Sequence, residues 1–447
     1  MDLTNTYYSL ISNEPNPIKA NILEIEKLVN PESNNIKRYN GINQLDLIYA
    51  NESFPITTNK SIFLAGPTPR NKSVPSWRTE AIQILQKINY NGIVFIPEPR
   101  NGNWVEYYEE QISWEKRALD IADIIIFWIP RDLSLDNNNY PKMAGLTTNI
   151  EFGLYYQSNK LFVGIPENSL DVSSNQYIKL KCDKNKIPFF TDLYTLLDTT
   201  SNKLGKGAFR KECECCIPLY LWNNKEFQYW YNNLINNGNQ LLDLKINYSF
   251  VMPKARKLFL WIASAIIYIT SENRIKSNEF VLSRTNITST VLIYLGNSYK
   301  DTYIILTKEF RTPCTNSEDF VYELPGGSSL DDTKNELIVA RDEVLEELGF
   351  KLNVDKLKLI GTRQSVATLS AHRSTAYMYL LNDNEFFKLK NMENSQHGLV
   401  EDSEQTYLVI KSLDEILNND LLDWNNIGII LSAYKAVIDK EHNYEYN

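Results

Sequence analysis

Three carboxylates in one short stretch offer the clearest candidate chemistry in this chain. Glu343, Glu346 and Glu347 are spaced i, i+3 and i+4 within residues 323–350, ELPGGSSLDDTKNELIVARDEVLEELGF. On a helix this spacing places all three on one face, where like charges repel one another. A hard cation such as Mg²⁺ relieves the repulsion, because it takes oxygen ligands and is often shared with substrate phosphates. The spacing therefore indicates a metal site or, as the alternative, a solvated acidic helix face.

The residues around these carboxylates favour the metal site. The stretch resembles the Nudix box, G-x5-E-x7-R-E-U-x-E-E-x-G-U, in which U is a bulky apolar residue. The matching positions are Gly327, Glu343, Val344, Glu346, Glu347, Gly349 and Phe350. The resemblance implies that the Gly327 carbonyl and the three glutamates bind Mg²⁺ (or Mn²⁺), and that the substrate is a nucleoside diphosphate linked to another group.

Two departures from the Nudix pattern affect the loop that braces the metal site. The chain has one residue too many between Gly327 and the glutamates, and the family's Glu and Arg positions hold Lys334 and Asp342 when counted back from Glu343. An extra residue inside the helix, after Arg341, would force a π-bulge, which is rare. A longer loop costs only a fraction of a kcal/mol. We therefore predict a longer loop and a salt bridge between Lys334 and Asp342, with the two charges exchanged.

Further stretches resemble the ADP-ribose pyrophosphatase branch of the Nudix enzymes. They are SNEFVLSR at 277–284, KEFR at 308–311, ATLSAHR at 367–373 and the acidic loop 397–404. The resemblance implies that Arg311 and His372 contact the substrate. It also implies that Glu404 is a late metal ligand or general base, with Glu401 and Asp402 as alternatives. It covers about residues 241–437, including a terminal amphipathic helix around Trp424–Val437.

A second set of candidate residues lies between 61 and 167. Gly66 directly follows an apolar run in FLAGPTPR, and Glu151 in LTTNIEFG is followed by Phe-Gly. Glu115 in SWEKRALDIAD lies eight residues before Asp123. In this order and spacing they resemble the nucleoside 2-deoxyribosyltransferase family and its nucleotide N-glycosidase relatives. The resemblance implies that Glu151 is a nucleophile and Glu115 a helper near the base or sugar.

These residue types suit the cleavage of an N-glycosidic bond. One carboxylate can attack C1′ of a nucleoside while a second protonates the leaving base, as in retaining glycosidases. Asp123 is a weaker candidate than Glu115 for the second role. Candidate substrate-binding residues on the same loop edge, including guanidinium groups for a 5′-phosphate, are Gly66, Arg70, Arg78, Arg131 and Asn149. The alternatives are surface arginines and, at Glu151, a carboxylate stabilised by a helix N-terminus.

Alternating short apolar runs and helical patterns must position these residues. The predicted strands are Ile62–Ala65, Ile93–Ile96, Ile124–Ile129 and Leu161–Ile165, and the predicted helices are about Trp77–Ile88, Val105–Ile121 and Asn149–Tyr156. The alternation predicts an α/β doubly wound parallel sheet, flavodoxin-like, whose ligands bind beyond the carboxyl ends of the strands. Longer strands after residue 241 predict an α+β Nudix fold. They are Leu258–Ile269, Ser277–Arg284, Val291–Leu295 and Tyr303–Arg311.

Length and composition are those of a mixed multidomain globular protein. We divide the 447 residues into an extension (1–58), a deoxyribosyltransferase-like domain (59–200), a structured connector (201–240) and a Nudix domain (241–447). The net charge of −9 argues against a nucleic-acid partner. The longest apolar run, Leu258–Ile269, is too short to cross a membrane and predicts a buried strand. Five cysteines, an odd number, and a polar N-terminus favour the cytoplasm.

Two segments offer packing surfaces rather than chemistry. In the extension, Ile18, Ile22, Ile25 and Val29 have helical spacing and predict an amphipathic helix that covers a neighbouring domain or an oligomer interface. We expect a homo-oligomer. The aromatic cluster within 220–231 of the connector predicts packing between domains.

Together these patterns predict a bifunctional nucleotide-metabolising enzyme. One domain cleaves or transfers at an N-glycosidic bond, and the other hydrolyses a pyrophosphate such as that of ADP-ribose with Mg²⁺. The two reactions could run in series on an NAD-like compound. The alternative is a nucleotide sensor in which one or both pockets bind without turnover, and the altered Nudix loop motivates that alternative.

Overall fold

The computed structural model describes residues 40–444 apart from short gaps. The gaps are residues 42–43, 70–73, 103–107, 138, 171, 253–256, 317, 330, 332–333 and 399–404, and the side chains of 40–41, 108 and 440–444 are not described. The predicted N-terminal helix lies outside the described residues. So do Arg70, Glu401, Asp402 and Glu404.

The chain divides into two compact units. The first comprises residues 1–251 and 261–280, and the second comprises residues 252–260 and 281–447. The division differs from the predicted boundary at 240/241, because residues 241–251 and 261–280 also belong to the first unit. None of the helices in the described residues combines the length and the apolar character needed to cross a bilayer.

The first unit alternates strands and helices through most of its length. Its strands are β1 (Asn40–Gly41), β2 (Asp46–Tyr49), β3 (Thr57–Thr58), β4 (Ser61–Ala65), β5 (Ile93–Ile96), β6 (Ile124–Trp128), β7 (Asp132–Leu135), β8 (Pro141–Met143), β9 (Leu161–Gly164), β10 (Phe189–Phe190) and β11 (Arg210–Lys211). Its helices are α1 (Trp77–Lys87), α2 (Tyr108–Ile121), α3 (Leu146–Tyr155), α4 (Ser173–Asn185), α5 (Leu193–Leu204), α6 (Leu219–Trp222) and α7 (Lys225–Asn236).

A parallel sheet in the order β10-β9-β6-β4-β5-β2 forms the centre of this unit. Its residues are almost fully buried because helices cover both faces. Helices α2, α3 and α4 pack on the face of Phe63 and Phe127, and α1 and α5 pack on the face of Ile62 and Leu64. The flavodoxin-like order predicted for β4, β5, β6 and β9 is present, and β2 extends the sheet beyond β5. Strand order reverses between β4 and β6, so ligands are expected at their carboxyl ends.

A buried ion pair fastens residues after α5 to the base of this sheet. Arg210 donates from Nη1 and Nη2 to the two carboxylate oxygens of Asp123, each at 2.7 Å, and both side chains are completely buried. The carboxylate also accepts from the backbone N–H groups of Ser61 and Leu219, each at 2.7 Å. Strand β11 pairs with β3 beside it. The connector is therefore an integral part of the first unit.

The aromatic cluster of the connector packs inside the first unit rather than between domains, which corrects the prediction. Phe227 lies 5.6 Å from Trp261 and 6.1 Å from Tyr231 between ring centroids. The next strands are β12 (Gln240–Met252), β13 (Lys257–Ile269) and β14 (Arg274–Arg284), which form a three-stranded sheet in that order. In β13 only Trp261, Ala263 and Ala265 are fully buried, so the predicted buried strand is instead covered on one face.

The second unit is an α+β domain built on a mixed sheet. Its strands are β15 (Ile287–Tyr294), β16 (Tyr303–Phe310), β17 (Phe320–Glu323), β18 (Gly326–Gly327), β19 (Lys358–Gln364), β20 (Arg373–Leu380), β21 (Gln396–His397) and β22 (Thr406–Ser412). Its helices are α8 (Glu336–Leu348), α9 (Asp383–Lys390), α10 (Leu413–Asn418) and α11 (Trp424–Tyr444). The main sheet has the order β19-β20-β15-β16-β22-β21, with β17 paired to β16 and β18 to β15.

Side chains of the central strands alternate between two cores. Val291, Ile293 and Leu306 face the core that contains α10 and α11. Leu292 and Ile305 face the core that contains α8 and α9. The sheet therefore holds the glutamate helix α8 against β15 and β22, and β18 brings the two glycines beside it.

Candidate functional site

The loop after β4 lies where the strand order of the parallel sheet reverses, between β4 and β6. Gly66 has φ +149°, and a Cβ atom there would lie 2.1 Å from the Trp128 carbonyl oxygen at the end of β6. Only glycine fits so close an approach. The two backbones that border the predicted ligand crevice therefore touch at Gly66.

Arg78 is buried beneath this loop and holds it in place. Its guanidinium donates to the carbonyls of Leu64 and Gly66, each at 2.9 Å, to Thr68 Oγ1 at 3.2 Å and to Glu98 Oε1 at 2.6 Å. Because protein acceptors take four of its N–H bonds, Arg78 is placed to shape the Gly66 loop rather than to present an open fork to a phosphate.

Glu115 lies on α2 and is oriented by the preceding helical turn. Gln111 donates from Nε2 to Glu115 Oε1 at 2.6 Å, and Gln111 itself is buried. Burial raises the pKa of Glu115, against the opposing effects of the Gln111 hydrogen bond and of the Arg78 charge. Glu115 is thus a largely buried carboxyl within the electrostatic reach of Arg78.

Glu151 lies on α3 and is half-buried. The helix begins at Leu146 after Gly145, which has left-handed backbone geometry and makes no side-chain cap. Glu151 is therefore in the second turn rather than in the first turn, as the sequence predicted, and the helix-dipole alternative loses its basis. Burial, followed by the neighbouring Glu115 charge, raises the pKa of Glu151 to about 8, against the opposing effect of Arg78. A negative charge on Glu115 therefore disfavours a second negative charge on Glu151.

The remaining predicted residues of this half serve the surrounding structure. Arg131 donates to Asn175 Oδ1 at 2.9 Å, to Asn149 Oδ1 at 2.7 Å and to the Ala144 carbonyl. These bonds fix the loop that leads into α3. They engage Nε, Nη1 and Nη2 of Arg131 and Oδ1 of Asn149 with protein partners. Arg210 and two backbone N–H groups occupy both oxygens of the Asp123 carboxylate, so Asp123 fastens the connector to the sheet.

Sequence reasoning missed two residues that complete this site. Gln111 lies one helical turn before Glu115, and an i, i+4 Gln–Glu pair was the signal that could have found it. Asn51 donates from Nδ2 to Gln111 Oε1 at 3.3 Å, from the turn that follows β2. No local pattern indicated Asn51, because the contact joins residues sixty positions apart.

In the second unit, the two glycines of β18 meet the glutamate helix. The Gly326 N–H donates to Glu347 Oε2 at 3.0 Å. A Cβ atom on Gly327 would lie 2.5 Å from Glu343 Oε2, so a side chain there would displace the carboxylate. The backbone of β18 therefore lies directly against two of the predicted metal ligands.

Burial and neighbouring carboxylates disfavour a negative charge on Glu347. Burial, followed by the neighbouring Glu343 charge, raises the pKa of Glu347 well above its ordinary value. Glu323 adds to the rise, and Arg311 opposes it. Arg311 donates from Nε to Glu323 Oε1 and also pairs with Glu309, each at 2.9 Å. A cation bound beside Glu343 and Glu347 would relieve their repulsion.

Predicted substrate-binding His372 is buried next to a cationic side chain. Burial and the charge of Arg284 lower its pKa. His372 Nδ1 and Arg284 Nε have no hydrogen-bond partner among the described residues, whereas Arg284 Nη2 donates to Ser328 Oγ at 3.1 Å. Buried polar atoms are normally satisfied, so these atoms are candidates for contact with a polar ligand.

The loop between β18 and α8 has the predicted ion pair. Lys334 Nζ lies 3.3 Å from Asp342 Oδ2, which confirms the predicted salt bridge. Arg341 also donates to Asp342, from Nε at 2.9 Å and from Nη2 at 2.6 Å. Helix α8 runs as α-helix from Glu336 to Leu348 without a π-bulge, as the longer-loop prediction requires.

Residues on either side of the segment 399–404 contact the glutamate helix. Gly398 N–H donates to the Glu346 carbonyl at 3.3 Å, and Thr406 Oγ1 donates to the Glu347 carbonyl at 3.1 Å. Residues 399–404 connect these two anchors.

The donor set of the second unit suits a hard divalent cation. Carboxylates and a closely approached backbone are the groups that Mg²⁺ prefers. Across the part of the chain that the structure describes, however, no three His, Cys, Asp or Glu side chains converge tightly enough to hold a metal by themselves. A cation there would take its remaining ligands from water, from substrate phosphates and from Glu404, which lies outside the described residues.

Comparison with known proteins gives one family match. Residues 59–169 match the family model described as "Nucleoside 2-deoxyribosyltransferase like", about a quarter of the chain. No curated protein matches the chain. A solved structure titled "Crystal structure of ADP compounds hydrolase" is 12% identical and aligns over 45% of this chain and 95% of its own, with a TM-score of 0.31. The family match contains Gly66, Glu115 and Glu151.

Proposed function

We propose that the first unit breaks or exchanges the N-glycosidic bond of a nucleotide. The coupled carboxyl pair Glu115–Glu151 supports this proposal most strongly. The pair lies in a unit whose Gly66 loop sits at the ligand edge of a doubly wound sheet, within the range that matches the deoxyribosyltransferase-like family. A carboxyl pair that carries one proton can provide both an ionised nucleophile and a protonated acid.

The reaction follows from that shared proton. A carboxylate oxygen of Glu151 forms a bond to C1′ while the C1′–N bond breaks, and the bonding electrons leave with the base. The proton, which the raised pKa of Glu151 leaves on that residue in the resting protein, passes first to Glu115, and Glu115 then delivers it to the departing base nitrogen. Water or an acceptor base then displaces Glu151 from C1′, and the proton it loses returns to the pair. Arg78 keeps the Gly66 backbone in position throughout.

A panel of nucleosides and nucleotides, followed by mass spectrometry, tests this proposal. We expect the wild-type protein to release a free base from at least one compound, and Glu151→Gln to abolish that release. Glu110→Gln is a matched control, because Glu110 is an exposed carboxylate on α2. Base release that survives in Glu151→Gln would refute the role of Glu151.

We further propose that the second unit hydrolyses a nucleoside diphosphate linked to another group. The carboxylates of Glu343 and Glu347, packed against the backbone of Gly326 and Gly327, support this proposal. When bound there, Mg²⁺ would neutralise phosphate oxygens and help a water attack phosphorus. The Gly327 carbonyl, Glu343, Glu346 and Glu347 would hold it, with Glu404 as a further ligand or as the base that accepts the water proton.

Substrate preference and metal dependence test the second proposal. We expect ADP-ribose or a close relative to be cleaved faster than nucleoside triphosphates. A chelator that removes Mg²⁺ should abolish this cleavage. Glu346→Gln combined with Glu347→Gln should abolish this activity and leave base release intact. Glu404→Gln should lower the rate about 10²-fold if Glu404 is a base or ligand. A clear preference for triphosphates would overturn the substrate assignment.

The two activities could act in series on a dinucleotide such as NAD. Base loss would leave ADP-ribose for the second unit, or pyrophosphate cleavage would supply a monophosphate for the first. A sensor that binds nucleotide without turnover is the second candidate, favoured by the altered loop with Lys334 and Asp342. Saturable nucleotide binding, measured by calorimetry without any product, would support the sensor.

A further inference from the structure

The amide of Gln111 is held at both ends, so its orientation is fixed. Its Oε1 accepts from Asn51 Nδ2 at 3.3 Å, and its Nε2 donates to Glu115 Oε1 at 2.6 Å. The side chain is only 3% exposed. Because the Asn51 amide donates to Oε1, the N–H side of Gln111 faces Glu115. A donor in that position stabilises the ionised form of Glu115 more than the neutral form.

Asn51 lies outside the segment that matches the deoxyribosyltransferase-like family. The match begins at residue 59, whereas Asn51 follows edge strand β2. Its turn is fastened from several sides. Trp114 Nε1 donates to the Glu52 carbonyl at 2.9 Å, and Arg100 donates to the Glu52 carboxylate at 2.6 Å and 2.9 Å. The turn is thus docked on α2, one helical turn from Glu115.

We propose that Gln111, oriented by Asn51, is a positioning residue for Glu115. It keeps Glu115 Oε1 in a fixed hydrogen bond and thereby favours the arrangement in which the pair with Glu151 carries one proton. The inference rests on the proposed base-release activity and adds a residue from outside the family segment to the control of that pair. Neither Gln111 nor Asn51 needs to contact the substrate.

Several other groups share the electrostatic environment of this pair. The groups facing it are Arg78 on α1, Glu98 in its ion pair with Arg78, and Tyr155 on α3, whose hydroxyl donates to Asp120 at 2.7 Å. All of them remain in place when Gln111 is changed. A change at Gln111 therefore alters one donor to Glu115 and leaves the charged groups constant.

Gln111→Met tests the proposal, since methionine retains the length of the side chain and lacks the amide. Loss of the donor makes ionised Glu115 less favourable, so the first proton leaves the pair at higher pH. We expect the acid limb of the pH–rate profile for base release to move up by about one pH unit, as for the loss of a hydrogen bond to a charge. Gln83→Met, at an exposed glutamine of α1, is the matched control.

Asn51→Asp tests the orienting contact. Asn51 has a positive φ of 64°, which aspartate tolerates. A carboxylate in place of the amide repels Gln111 Oε1 and favours the flipped amide, which turns Oε1 towards Glu115. We expect a shift of the acid limb in the same direction as for Gln111→Met, and smaller, because Asn51 is exposed.

A substrate-free measurement separates this inference from the proposed function. Glu115→Gln is made in the wild-type protein and in Gln111→Met, and the change in unfolding free energy that it causes is measured against pH. In each background the pH dependence of that change reports the pKa of Glu115. A pKa of Glu115 that is higher in Gln111→Met than in the wild-type protein would support the positioning role. If the wild-type protein releases no base, the proposed function is refuted while the positioning role stands. Base release with an unmoved acid limb in both variants would overturn the positioning role and leave the function standing.

Discussion

Replacing Glu151 by glutamine should stabilise the first unit at alkaline pH and not at acid pH. The folded-state pKa of Glu151 is raised from 4.5 to about 8, mainly by burial. Between these two values the folded protein keeps a proton that the unfolded chain has lost. The wild-type protein therefore loses stability as the pH rises through this window. Glutamine cannot ionise, so the variant escapes that loss.

The size of the effect follows from the pKa change. Each unit of pKa corresponds to about 1.4 kcal/mol, so a rise from 4.5 to about 8 corresponds to an upper limit of about 5 kcal/mol at high pH. Glu151 is half-buried, and access of solvent to the carboxylate screens part of the cost. We expect the variant to gain about 2–3 kcal/mol at pH 8.5 relative to pH 5.

Tryptophan fluorescence during urea unfolding is a suitable assay. Seven of the eight tryptophans lie within the residue ranges of the first unit, and only Trp424 lies in the second. The fluorescence transition therefore reports the first unit. With a denaturant slope of about 3 kcal/mol per molar urea, the midpoint should rise by about 1 M at pH 8.5 and stay nearly constant at pH 5.

A matched variant and one clear outcome decide the interpretation. Glu110→Gln removes an exposed carboxylate from the same unit and should change the midpoint little at either pH. If Glu151→Gln gives the same midpoint change at pH 5 and pH 8.5, the carboxylate ionises normally in the folded protein. The shared-proton account of the Glu115–Glu151 pair would then be wrong.

Three further predictions concern ion pairs and metal. Lys334→Glu should lower pyrophosphatase activity only about two- to fivefold, because exposed ion pairs contribute below about 1 kcal/mol. Adding Asp342→Arg should restore most of the activity in a steady-state assay. A double variant without this rescue would contradict the pairing. Glu347→Gln should remove the rise in melting temperature that Mg²⁺ gives the wild-type protein, whereas an unchanged rise in calorimetry would place the cation elsewhere. Arg210→Met should destabilise the first unit by about 3–5 kcal/mol in urea unfolding, because it leaves the Asp123 carboxylate buried without its cation. Adding Asp123→Asn should recover part of that loss.

The central strands were predictable because burial on both faces demands continuous apolar runs. The predicted bounds for β4, β5, β6 and β9 agree with the structure to within one residue at each end. Strands β2 and β11 were missed. β11 has only two residues, β2 is a four-residue strand at the edge of the sheet, and distant pairings define both. Local patterns carry little information about such pairings.

Residue types at the site were easier to predict than residue roles. Glu115 and Glu151 were identified from spacing, and in the structure the charge of Glu115 raises the pKa of Glu151. The long-range partners Glu98 and Arg210 decide what Arg78 and Asp123 do, and spacing along the chain does not reveal them. The position of the extra residue in the Nudix-like loop was predictable, because a helix insertion and a longer loop differ greatly in free energy.

The buried Asp123–Arg210 pair has a consequence for synthesis of the protein. The two residues are 87 positions apart, and the ribosome adds roughly 5–20 residues per second. Asp123 therefore leaves the ribosome roughly 4–17 seconds before Arg210, which neutralises it, and strands β4 and β5 leave earlier still. During that interval the nascent sheet carries an uncompensated charge at its base, so its final docking must wait until residues beyond α5 have emerged.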